Sequence, residues 1–138
     1  GYNESVYVQE DRSVLFGIFN GPIIQTPLTR TGGDLITGAG IISKRIDLPN
    51  RALSFNYKWS AGSMRDIFYC NSLGVLNRYN IASGISQVCP FPKNSLNKDM
   101  FTCFGRSMHW DSTKTKLIFP IKQNGMMAIG QYDISGCP

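Results

Sequence analysis

Apolar positions along the chain come in short runs of β-branched and aromatic residues, such as 5–8 (SVYV), 14–19 (VLFGIF) and 117–121 (LIFPI). Clusters of Gly, Asn, Ser and Pro separate them. No segment sustains the three-to-four-residue spacing of an amphipathic helix, so the pattern predicts strands joined by turns. Strand signals recur about every 8–12 residues, the rhythm of a barrel, sandwich or propeller. The fold class expected is all-β.

The runs also repeat. Ile67-Phe68 and Ile118-Phe119 stand at the same offset as Gly74 and Gly125, and Tyr79 to Gly84 matches Tyr132 to Gly136 after a small shift. Leu15-Phe16, Asn20-Gly21 and Thr31-Gly32 give a fainter third copy. Each unit reads as a hairpin: a strand, a glycine turn, a second strand, then a Ser/Thr-Gly turn. The expectation is one all-β domain of three repeats, about 1–48, 49–98 and 99–138.

Residues 104–121, followed by Gln123-Asn124-Gly125 and the run 127–133, resemble a β-propeller blade. The similarity is to the six-bladed repeats of the Yellow/major royal jelly and low-density-lipoprotein-receptor kind. It implies an inner strand at 107–111 lining a channel, then strands at 116–123 and 126–134. The second blade would use 53–60, 65–71, 75–81 and 85–91. The first would use 5–9, 14–20, 23–29 and an outer strand near 40–46. Three blades leave open edges, so a second chain would have to complete the ring as a homo-oligomer or second half-chain. A β-trefoil, which closes within one chain, is the alternative.

Composition narrows the class. The 138 residues are 42% hydrophobic and 17% charged, with 14 Gly and 7 Pro, which is the balance of a turn-rich globular chain. No apolar stretch is long enough to span a bilayer, so no membrane partner is expected. The net charge of +5 comes from basic residues scattered singly, and a nucleic-acid partner is not expected either. Cys70, Cys89, Cys103 and Cys137 are too widely spaced for a zinc site and read as disulfides. A bridge between Cys89 and Cys103 would close the polar loop 93–99, leaving Cys70 and Cys137 to pair with each other or with a second chain. Asn3-Glu4-Ser5 is a glycosylation sequon, so Asn3 joins the cysteines in pointing to a secreted, extracellular protein. The polar start of the chain fits a processed form whose signal has been removed.

Catalytic groups are sparse. His109 is the only histidine, and no nucleophile elbow, phosphate loop or metalloprotease helix occurs. No catalytic residue, metal or cofactor is therefore assigned. The binding candidates are Asn56, Tyr57, Trp59, His109, Trp110 and Asp111, which combine aromatic faces for stacking with oriented polar groups. They favour a lectin-like module or small-ligand carrier that holds a carbohydrate or small molecule in a channel or pocket between repeats. A lactonase-type hydrolase would need Asn56, Asp66 and Asp111 to converge on one metal ion. A purely structural or adhesive protein would need no pocket. Met126-Met127 reads either as core or as a soft surface at a subunit seam.

Overall fold

A computed structural model describes residues 2–18, 21–31, 34–36 and 44–138, with the backbone alone for 2, 3, 18, 29–31 and 34–36. The Asn3 side chain, Asn20 and Gly32 thus lie outside the described residues. The chain packs as two compact units, Gly1–Arg51 and Ala52–Pro138. Both are all-β, as the run pattern predicts.

In the first unit, β1 (Tyr2–Val8), β2 (Ser13–Ile18), β3 (Ile23–Pro27) and, after a short β4–β5 hairpin (Thr29–Thr31, Asp34–Ile36), β6 (Lys44–Ile46) appear in order. The four-stranded sheet runs β1-β2-β3-β6, all antiparallel. Asp11 organises its first turn. Its carboxylate accepts from the Ser13 backbone and hydroxyl and from Gln25, which leaves Arg12 free to take a left-handed conformation (φ 59°).

In the second unit, β7 (Ala52–Ser60), β8 (Ser63–Asn71), β9 (Leu76–Asn80) and β10 (Ser86–Val88) form an antiparallel sheet in chain order. Every residue of β8 from Asp66 to Asn71 is buried. The third sheet is built on β13 (Lys116–Gln123). It carries β11 (Thr102–Cys103) and β12 (His109–Trp110) along one edge and β14 (Met126–Asp133) along the other. A turn of 3-10 helix, Ile134–Gly136, follows. Among the described residues no sheet closes into a barrel, which the trefoil alternative requires. The observed pattern is open four-stranded antiparallel sheets.

Several of the recurring residues can be placed on the strands of the second unit. Ile67-Phe68 and Ile118-Phe119 sit on the long strands β8 and β13, while Gly74 and Gly125 sit in the turns that follow. Gly125 and Asn124 both have positive φ (77° and 50°), the geometry of a two-residue hairpin turn that Asn-Gly suits. Gly74 is held more tightly still: at φ 77° a Cβ would lie 2.6 Å from the Thr102 side chain. Tyr79 and Tyr132 each bring a phenol oxygen near the next turn glycine, Gly84 or Gly136.

The second and third sheets share one core of Phe68, Cys70, Leu76, Met108, Leu117 and Phe119, with Phe91 and Ile121 at its margin. Two disulfides staple the sheets together, Cys70–Cys103 and Cys89–Cys137. This corrects the expected pairing of Cys89 with Cys103. Proximity in sequence suggested a local loop, but packing brings β8 against β11 and the end of β10 against the chain end beyond β14. The polar loop is closed instead by Lys93 and Asp99, 2.9 Å apart, and by the Asn94 carboxamide, which accepts from the Leu96 and Lys98 backbones.

Most expected strands recur within a residue or two, and 116–123 recurs unchanged. Three differ. The inner strand shrinks to His109–Trp110, because Asp111 turns the chain. The strand expected over 85–91 ends at Val88, since Pro90 and Pro92 have no N–H to donate. The β4–β5 hairpin and β11 are additional.

Candidate functional site

β7 and β12 are edge strands of neighbouring sheets in the second unit, and they carry the expected binding residues apart from Asp111, which follows β12. The Asn56 carboxamide donates to the Met108 carbonyl at 2.7 Å and accepts from the Tyr57 backbone at 2.8 Å. The Trp110 indole donates to the Tyr57 carbonyl at 2.8 Å and meets Phe68 edge-on, with centroids 5.6 Å apart. Lys58 reaches over the Trp110 ring at 5.3 Å and donates to the Lys114 carbonyl. Asn56, Tyr57 and Trp110 are thus brought together, but their polar groups tie one sheet to the next. A buried amide left unpaired costs about 1–3 kcal/mol, so internal partners take these groups first.

The other three expected residues lie apart from that knot. Trp59 is half-buried beyond a register shift in β7, opposite Met64. His109 is exposed, opposite Ile118. Asp111 accepts from the Thr113 hydroxyl (2.7 Å) and from the Thr115 and Lys116 backbones (3.1 Å each). These bonds, the Thr113 hydroxyl foremost, hold its carboxyl below the usual range. Its work is to make a turn. Buried Asp66 pairs with Arg78 through two contacts of 3.2 and 3.3 Å. Asn56, Asp66 and Asp111 are thus each engaged by a different partner, and among the described residues no three His, Cys, Asp or Glu side chains gather to hold a metal ion.

A different concavity opens between the second and third sheets, above Cys89–Cys137. It is a shallow, open groove of about 520 Å³ lined by Pro90, Phe91, Phe101, Gln131, Tyr132 and Asp133, among others. Its floor is aromatic. Phe91 lies 4.7 Å from Phe101 and 5.7 Å from Tyr132, centroid to centroid, and packs on Phe119 beneath. Tyr132 donates to the Pro90 carbonyl at 3.0 Å, and burial, with Asp133 alongside, raises its phenol pKa. Asp133 caps the 3-10 turn by accepting from the Ser135 backbone at 2.9 Å, the main cause of its lowered pKa. At neutral pH the groove combines a neutral aromatic floor with an anionic rim.

Sequence reasoning missed this groove because its residues come from 90–92, 101 and 131–136, far apart in the chain. The available signal was the aromatic residue placed two positions from Cys89 and from Cys103. It becomes legible only once Cys89 is known to pair with Cys137. Compared with models of known protein families and with curated proteins, the chain matches none.

Proposed function

We propose that this chain is a secreted binding module that takes a carbohydrate or similar small polar ligand in the groove between its second and third repeats. The observation that carries the reading is the aromatic floor of Phe91, Phe101 and Tyr132 beneath a rim of Gln131, Asp133 and Ser135. Sugar C–H faces stack on such rings, while amide and carboxylate groups take the hydroxyls. The volume falls within the range of about 300–1,000 Å³ usual for small-ligand sites. The two disulfides are typical of extracellular proteins, and the Asn3-Glu4-Ser5 sequon fits that compartment. The propeller resemblance supplies the companion proposal that the sheets are blades of a repeat architecture.

Screening against a glycan array, followed by calorimetric titration of a hit, tests the reading. Gln131→Ala and Phe101→Ala should weaken binding at least about tenfold, the loss of roughly 1.4 kcal/mol, with circular dichroism unchanged. Trp59→Ala and His109→Ala should leave affinity intact. The opposite pattern would move the site to the inner strands, and no binding to any sugar would remove the lectin reading.

A further inference from the structure

β14 pairs only with β13, so among the described residues its other edge offers unpaired backbone N–H and C=O groups over eight residues. Proteins usually blunt such an edge with Lys, Pro, a bulge or a short strand. β14 has none of these. Its register against β13 is unbroken from Lys116–Asp133 to Gln123–Met126, and its one charged residue, Asp133, lies at the end. Met126, Met127 and Ile129 are 74%, 68% and 72% exposed, so the Met pair is surface and not core. The following residues do not return along this edge. The 3-10 turn and the Cys89–Cys137 bridge lead them toward the end of β10.

We propose that β14 is a docking edge on which a second copy of this chain adds its own β14, antiparallel, to make one continuous sheet across a twofold axis. The other described edges argue for this partner. β4, β5, β6 and β10 are each described over three residues, β11 and β12 over two, and β1 and β7 carry register shifts, β7 being largely buried as well. Only β14 matches β14 in length, regularity and exposure. Self-pairing is also chemically consistent. Met127 and Ile129 project from the same face, since their β13 partners, Lys122 and Pro120, alternate with core-facing Ile121. A twofold axis normal to the sheet keeps that face common to both copies. Centred on Ala128, it sets Met127 opposite the second copy's Ile129; centred on Ile129, it brings the two isoleucines together. Asp133 then falls at or beyond the second copy's Asn124-Gly125 turn, so no like charges meet. The twofold axis closes the contact at two copies. The contact shares β14 with the groove, whose lining includes Gln131, Tyr132 and Asp133, but its test reads mass and amide exchange and needs no ligand, so the two readings fail separately.

The test is the solution mass of the full, oxidised chain by light scattering over about 10–500 µM, the range in which a small edge contact responds to mass action. The mass should rise from 15.4 kDa toward twice that value. Hydrogen exchange should show β14 amides gaining protection as concentration rises. Met127→Lys and Ile129→Lys, at exposed positions, should each raise the dissociation constant at least tenfold. Leu73→Lys, at a residue 79% exposed elsewhere, should not. A constant 15.4 kDa, a dimer indifferent to both lysines, growth past the dimer, or unchanged β14 exchange would each overturn the proposal.

Discussion

Asp111 illustrates how a residue chosen for binding chemistry is taken up by the fold. Its carboxylate is held below the usual pKa first by the Thr113 hydroxyl and then by the Lys116 and Thr115 backbone N–H groups. A folded-state pKa below the unfolded value contributes stability that is complete above the unfolded pKa, near 4, and is lost as pH falls through the folded one. Urea denaturation at pH 7 and pH 3 should therefore show wild type losing more stability on acidification than Asp111→Asn. Equal losses would mean that the turn does not need the charge. Ser54 presents the reverse case. Its hydroxyl is buried in β7 with no hydrogen-bond partner among the described residues, so Ser54→Ala, which removes a desolvated polar atom and little volume, should stabilise the chain by about 1 kcal/mol. A destabilisation seen in the same urea titrations would point to a partner for that hydroxyl.

At the scale of elements, local chemistry made the strands legible. The β13–β14 hairpin could be placed because Asn124-Gly125 specifies a tight turn between two apolar runs, and both residues take the positive φ that turn demands. The end of β10 was harder to place, because 85–91 is apolar enough to continue while Pro90 and Pro92 cannot join a ladder. β11 was hidden for another reason. Two residues pair with Ile121 and Lys122 only because Cys103 is drawn to Cys70, and no local pattern announces that. The candidate site divides the same way. Asn56, Tyr57 and Trp110 do meet, as their places on inner strands suggest, yet their polar atoms bond each other's strands. Whether a polar group faces a ligand or a neighbouring sheet depends on packing between elements, and strand patterns carry no record of it. The groove at Phe91, Phe101 and Tyr132 depends on the same packing.

On the scale of the whole molecule, the two bridges are the covalent form of that packing, since each joins the second sheet to the third. They span 33 and 48 residues, so in the chain-entropy account each removes unfolded-state freedom worth about 3–4 kcal/mol. Their surroundings separate them. Both Cys70 and Cys103 are buried in the shared core, whereas of the other pair Cys89 is buried there and Cys137 is only half-buried at its margin, so replacing Cys70 and Cys103 with alanine leaves the larger void beside Phe68, Leu76 and Leu117. Cys89–Cys137 anchors Pro90 and the turn after β14, the two sides of the groove. In urea titrations, Cys70→Ala with Cys103→Ala should be the more destabilising double variant, although its loop is the shorter. Cys89→Ala with Cys137→Ala should cost less stability but weaken ligand binding together with the Tyr132 to Pro90 hydrogen bond, which the Tyr132 ring signals in NMR would report. If loop length alone governed stability, the order of the two double variants would reverse, and the shared core would not be what holds the two sheets together.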